Sequence, residues 1–462
     1  MTRAAPLRHF AAIVLALATC CAASASFAQS DPVARGLSVR ARVEARARAQ
    51  DDQLKRAAQR AAANNPETAD VAGNVTMTVS SSADATLTNV YAAGPNAALF
   101  LTTGGKATAA GGTGNNQYLY FPAASIAPAT SGNLSGVLPS TPDYNAWGWS
   151  AAFETDSDRI EIRLNTCTTC LFRIQVDGHY VTKSSTNGLN YIAYVVLDFA
   201  GSRKPRTITI EGSDTNGLRG VAVQPTSNIW RPDNGADRIV ALATGDSYSE
   251  GQGATSPGLF GWPKVLGRLM GWTDVRQVAV GGTGYLNPAT GLGRSKISAQ
   301  IDRWLTVNSD LTANDVDVIT VAAGYNDYGS IGGVTYTPED IATQALADWR
   351  AIRTLLPGTL IVVLGPYSGT RGPDARTLAI EAALQARFTQ WADANALFVP
   401  VNGSGAGTAW IFGTGRVGAT RGNGNADIAI STDGVHPSDA GHTIYARRTA
   451  NAIRAWLSAI GS

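Results

Sequence analysis

The sequence predicts a two-part chain: an antiparallel β-sandwich of roughly jelly-roll type, then an α/β domain whose parallel sheet is covered by helices on both faces. Three observations lead there. At 462 residues the chain exceeds what a single hydrophobic core organises. From about Val71 to Asp237 it is rich in Thr, Ser, Gly and β-branched residues that alternate at period two. Beyond Asp237, apolar runs of strand length alternate with helical segments. An apolar content of 44% with only 16% charged residues fits a globular chain and excludes a disordered one.

The first segment reads as an export signal over residues 1–28. Arg3 and Arg8 supply the positive flank, Phe10 to Ala18 the apolar stretch, and Ser26-Phe27-Ala28 the small residues of a cleavage site before Gln29. Leu17-Ala18-Thr19-Cys20 is the alternative, a lipoprotein-like box, with Thr19 poorly suited to its place. No later apolar run is long enough to span a bilayer, so a periplasmic or secreted protein is expected. Formal net charge is +2, and Arg3 and Arg8 lie in the signal, which leaves a near-neutral mature chain and no reason to expect a nucleic-acid partner.

Residues 29–70 form a charged leader. Val33 to about Asn64 holds seven arginines (Arg35, Arg40, Arg42, Arg46, Arg48, Arg56, Arg60) among alanines, with no internal proline. An exposed helix serving as a spacer is the expectation, because few large apolar residues are available to pin it to a core.

The β-sandwich is assigned to residues 71–237. Arg159 to Leu164 and Phe172 to Val176 alternate as half-buried strands do, and Tyr191–Phe199 and Arg206–Ile210 continue the series. Asp177-Gly178 follows the second run; a type I′ turn needs positive φ at both central residues, which this dipeptide tolerates. Trp147 and Trp149 suit either sugar stacking or, preferably, the sandwich core. Cys167-Thr168-Thr169-Cys170 suits half a zinc site, a redox pair or a disulfide. Beyond the signal there is no other cysteine and only His179, His436 and His442, too few to complete a zinc site, and export favours a disulfide between Cys167 and Cys170.

The α/β domain is assigned to residues 238–462. Strands are expected near Ile239–Ala243, Val275–Val280, Val316–Ala322, Leu360–Leu364 and Leu397–Val401. Helices are expected near Gly261–Leu269, Ile297–Val307, Pro338–Leu355, Ala375–Asn395 and Ser438–Ile460. Strands apolar on both faces belong to a sheet covered on both sides. Such sheets place ligands at the carboxyl ends of their strands.

The chemistry-bearing residues fall there. Ser247, in Gly245-Asp246-Ser247, leaves the first strand on a turn, and a serine hydroxyl needs a base within hydrogen-bond reach. His179 adjoins the sandwich turn and His442 belongs to the last helix, where a structural role is expected. His436 remains, in Asp433-Gly434-Val435-His436-Pro437, where a spacing of three brings the Asp433 carboxylate to Nδ1 and turns Nε2 toward the serine. Val280-Gly281-Gly282-Thr283-Gly284 after the second strand offers a glycine N–H. The Asn326 amide, in Gly324-Tyr325-Asn326-Asp327 after the third, joins it and the Ser247 N–H as an oxyanion donor.

These segments, in this order, resemble the four sequence blocks of the SGNH hydrolases, also called GDSL esterases and lipases. The resemblance spans about residues 238–462. It implies a flavodoxin-like three-layer α/β/α fold with strand order 2-1-3-4-5. It also implies Ser247 as nucleophile, His436 as base, Asp433 as orienting acid, and Ser247, Gly282 and Asn326 as oxyanion donors, with no metal and no cofactor. The serine block departs from the family in having Tyr248 where leucine is frequent, a change expected to leave the chemistry unaltered. A jelly-roll ahead of such a domain is similar in layout to some carbohydrate esterases. The expected partner is therefore an ester substrate, preferably an acetylated polysaccharide. Lipid or small esters, or transfer of the acyl group to a glycan, are the alternatives.

Overall fold

The computed structural model describes residues 36–45, 75–105, 107–111, 117–120, 148–182, 184–213, 217–233, 238–288, 297–307, 311–369, 372–403, 408–419 and 421–460. The expected signal, most of the leader, and Trp147 lie outside them.

Two antiparallel sheets form the first part. One is ordered Thr76–Ser80, Tyr191–Asp198, Arg159–Thr166, Gly217–Val223, Gln117–Tyr120, Thr108–Gly111. The other is ordered Thr186–Asn187, Leu171–Val176, Arg206–Ser213, Gly148–Thr155, Ile229–Trp230. Their inner faces meet in one core that includes Phe153, Ile162, Ile174, Val195, Ile208, Leu218 and the buried Trp149 ring. Asp177 and Gly178 have φ of 50° and 83°, and they fold the chain so that Val176 pairs with His179. A Cys167–Cys170 disulfide closes the turn between Arg159–Thr166 and Leu171–Val176. Arg159–Thr166 is more buried than simple alternation requires. Glu161 on its outer face is fully covered, where it accepts from the Asp84 N–H at 2.5 Å and from Arg163 Nε at 2.7 Å.

The second part holds a five-stranded parallel sheet, ordered Asp274–Gln277, Val240–Gly245, Val318–Ala322, Leu360–Leu364, Ala396–Val399. Counted along the chain this is 2-1-3-4-5. Successive side chains of a strand go to opposite faces, and here both faces are apolar. Ala241, Val318, Leu360 and Val362 pack beneath helices Trp262–Met270 and Asp439–Ile460. Val240, Leu242, Ile319, Val321, Ile361 and Val363 pack beneath Ile297–Val307, Pro338–Leu355 and Ala375–Trp391. The fold is thus an α/β layer structure with an antiparallel sandwich before it.

The described part of the leader departs from the exposed helix expected. Residues 36–45 are helical, and Val39 and Val43, four apart on one face, are buried in the core beneath Asp439–Ile460. Arg40 Nε donates to Asn395 Oδ1 at 2.6 Å, and Arg42 pairs with Asp317. Two valines at helical spacing and the arginine contacts at the rim together dock the helix.

The two parts meet through polar contacts. The Gly104 N–H donates to Asp274 Oδ1 at 2.7 Å, and Lys264 Nζ donates to the carbonyls of Gly148 and Val275 at 2.9 and 2.6 Å. Burial lowers the Lys264 ammonium pKa to about 8. Asp274 is fully buried and also accepts from Arg238 and Arg276 at 2.5 and 2.9 Å.

Candidate active site

Val240–Gly245 ends beneath a sharp turn. Gly245 has φ of 143°, and a Cβ there would lie 2.0 Å from the Ala322 carbonyl oxygen on the neighbouring strand. Ser247 opens the short helix Ser247–Glu250, with Asp246 as its N-cap accepting from the Tyr248 N–H at 3.0 Å. Ser247 therefore sits half-buried at the carboxyl edge of the sheet.

Three of the predicted residues form a relay. His436 Nε2 lies 2.8 Å from Ser247 Oγ, and His436 Nδ1 lies 2.6 Å from Asp433 Oδ2. The other Asp433 oxygen accepts from the N–H groups of Val435 and His436 at 2.8 and 3.0 Å and from Ser431 Oγ at 2.7 Å. Partial burial opposes its charge, but the hydrogen bonds from His436, Val435 and Ser431 prevail and hold the carboxyl well below the usual carboxylate range. An ionised Asp433 keeps the proton of a neutral His436 on Nδ1 and leaves Nε2 free to accept.

His442 plays no part in this relay. Its Nδ1 accepts from the Trp262 N–H at 3.2 Å, so Nε2 carries the proton and donates to the Gln252 carbonyl at 3.0 Å. Burial lowers its pKa to about 4, and it stays neutral as a tie between the last helix and the serine loop. His179 lies in the hairpin of the sandwich.

The donor candidates sit on the loops after the second and third strands. The Gly281 N–H is engaged by Glu250 Oε1 at 2.7 Å, which leaves the adjacent Gly282, at φ of 80°, as the glycine able to offer a donor. Asn326 Nδ2 donates to the Thr283 carbonyl at 2.8 Å and makes a long contact of 3.4 Å with Asp246 Oδ2. One amide hydrogen is thus anchored, and the other is held only loosely. Burial, with Glu250 and Asp327 nearby, raises the Asp246 carboxyl pKa to about 8, and a neutral carboxyl competes little for that hydrogen.

Several supporting residues were not singled out from the sequence. Asp327 accepts from three successive N–H groups, Tyr285, Leu286 and Asn287, at 2.7 to 2.9 Å and so shapes the glycine loop. Gln300 donates to the Gly245 carbonyl at 3.0 Å and to Thr283 Oγ1 at 2.9 Å, which joins the serine and glycine loops. Gly253, at φ of 86°, lies against the histidine turn, where a Cβ would come within 2.6 Å of His436 Cβ and 2.4 Å of the Pro437 carbonyl oxygen. Glycine next to a turn carries a sequence signal; the burial of Gln300 carries none. Among the described residues no group of three or more His, Cys, Asp or Glu is placed to hold a metal ion.

Residues 243–444 match the model of the GDSL-like lipase/acylhydrolase family. No curated protein matches the chain. Among solved structures, the chain is similar to the salicylyl-acyltransferase SsfX3 from a tetracycline biosynthetic pathway, at 16% identity over 79% of this chain and 97% of that one, with a TM-score of 0.54. It is also similar to a family two carbohydrate esterase from Cellvibrio japonicus, at 12% identity over 83% of this chain and 99% of that one, with a TM-score of 0.51. At these identities the likeness is one of fold, and it extends across both parts of the chain. The match to the GDSL-like lipase/acylhydrolase model over residues 243–444 supports a carboxylic ester hydrolase.

Proposed function

We propose that the chain is an exported serine esterase that removes acetyl groups from a polysaccharide, with Ser247 as nucleophile, His436 as base and Asp433 as orienting acid. The observation that carries this reading is the unbroken relay from Ser247 Oγ through His436 to Asp433, with contacts of 2.8 and 2.6 Å. Ser247 Oγ attacks the ester carbonyl carbon while its proton passes to His436 Nε2. The N–H groups of Ser247 and Gly282 and the Asn326 amide receive the oxyanion. His436 then protonates the departing alkoxide, and water repeats the cycle on the acyl-serine to release the acid.

Export is supported by the signal-like first 28 residues and by the Cys167–Cys170 disulfide, which suits an oxidising compartment. Division into a sandwich of about residues 71–237 and a catalytic domain of 238–462 belongs to the same proposal. The polysaccharide substrate rests on the layout shared with a carbohydrate esterase. A second reading is acyl transfer, favoured by the likeness to an acyltransferase, in which an acceptor hydroxyl replaces water in the second half-reaction.

The test is a panel of acetylated polysaccharides, lipid esters and an aryl acetate, each with and without an unacetylated acceptor glycan. Free acetate from the polysaccharides is expected, and acetylated acceptor in its place would favour the transferase. Ser247→Ala is expected to abolish turnover of the aryl acetate, and retained turnover would remove Ser247 as nucleophile.

A further inference from the structure

Tyr248 follows the predicted nucleophile directly, yet its side chain is fully buried and turned away from solvent toward the histidine turn. Its hydroxyl donates to the Val435 carbonyl at 2.5 Å, one residue before His436. Its ring lies 5.5 Å from the His436 ring, stacks at 4.4 Å on the buried Tyr367, and meets Tyr325 at 5.2 Å. Gly369 closes over this bond, for a Cβ there would stand 3.0 Å from the Val435 oxygen and 3.2 Å from the Tyr248 hydroxyl.

The histidine turn has internal bonds of its own. Asp433 Oδ1 accepts the N–H groups of Val435 and His436, and the Ser431 N–H donates to the His436 carbonyl at 2.8 Å. Those bonds give the turn its shape but do not set its distance from the serine. The serine loop reaches the turn where Gly253 packs on His436 and where Thr255 donates to Asp439, and Tyr248, covalently adjacent to Ser247, adds a bond one residue before His436.

We propose that Tyr248 is a positioning residue for His436: its hydroxyl, bonded to the Val435 carbonyl, holds the histidine turn where Nε2 meets Ser247 Oγ. The inference rests on the triad reading above. Tyr248 has no exposed surface on which to touch a substrate, so its removal bears on the reacting geometry and not on substrate affinity. Deleting the hydroxyl leaves the carbonyl of Val435 unpaired beside a ring, and the turn is free to drift by a fraction of an ångström.

The experiment compares the full chain with Tyr248→Phe, Tyr367→Phe and Ser247→Ala, using aryl acetate kinetics and the imidazole NMR signals of the histidines. Tyr367→Phe is the control: it removes a buried hydroxyl from the stacked ring, one without a hydrogen-bond partner among the described residues. For Tyr248→Phe we expect kcat to fall about 10- to 100-fold, since small misplacements of a catalytic group carry losses of that order. KM should stay within about 2-fold. The His436 signals should shift or broaden while those of His442 hold still, and Tyr367→Phe should leave kcat and the His436 signals unchanged. Wild-type kcat with unmoved His436 signals in Tyr248→Phe would overturn the proposal. An equal loss in Tyr367→Phe would overturn it too, by showing that removing any hydroxyl from this buried cluster has the same effect. Retained turnover in Ser247→Ala would instead sink the triad reading, and the His436 signals would still report whether Tyr248 positions that ring.

Discussion

Asn326 is where the proposed oxyanion site can be tested on a single amide. Its Nδ2 is tied to the Thr283 carbonyl at 2.8 Å and makes only a long 3.4 Å contact with the Asp246 carboxyl, whose pKa burial raises to about 8. An oxyanion is a far better acceptor than either, so in the proposed mechanism the interaction would strengthen as the tetrahedral intermediate forms. Asn326→Ala is therefore expected to lower kcat about 100- to 1000-fold in the aryl acetate assay, with a smaller change in KM. An unchanged kcat would remove the side chain from the proposed donor set. Tyr248 teaches the opposite lesson at the same scale. Read along the chain it is a neutral replacement for a frequent leucine; in the fold its hydroxyl reaches Val435, 187 residues away.

Among the elements, the hairpins and strands were legible because their signals are local. Asp177-Gly178 adopts positive φ at both residues, and Leu360–Leu364, Ile297–Val307 and Pro338–Leu355 span the residues their periodicity predicts. The leader helix is docked where an exposed one was expected, because its docking depends on a groove distant in the chain. Val39 and Val43 look sparse among arginines until the helix Asp439–Ile460 is laid beside them. The Cys167–Cys170 bond closes a turn of only four residues at one end of the sandwich. Short loops gain little from cross-linking, and the entropic estimate is about 2 kcal/mol. Replacing both cysteines by serine should accordingly lower the thermal midpoint by a few degrees while aryl acetate turnover is kept, as calorimetry and the assay would show. Lost turnover in the folded variant would mean that this turn reaches the site.

For the molecule as a whole, the junction between the sandwich and the α/β part decides whether they act as one body. Asp274 is its hub: a fully buried carboxylate held by Arg276, Arg238 and the Gly104 N–H. Burial raises the cost of its charge, but the two guanidiniums and that N–H outweigh it and lower its pKa to about 2. Removing one partner from such a cluster strands the others, at a cost of about 3 to 5 kcal/mol. Calorimetry of the intact chain should show one cooperative transition, and Asp274→Ala should lower it sharply or split it in two. Two resolved transitions in the unaltered chain would show that the junction does not couple the parts.

The order of the four motifs, the alternation of strand and helix, and the scarcity of histidine were determined by the sequence alone. Each is a local or one-dimensional property: a period, a turn preference, a count. That was enough to name Ser247, Asp433, His436, Gly282 and Asn326 as candidates and to expect a parallel sheet covered on both faces, while the 2-1-3-4-5 order followed only from the resemblance to the SGNH hydrolases. Only the tertiary structure decided which N–H of Gly281-Gly282 is already engaged, why the Asp246 pKa is raised, and where the Tyr248 hydroxyl bonds. Those answers depend on distances between residues far apart in the chain, and on burial. Neither has a signature at the residue itself, because both arise only when the chain is packed.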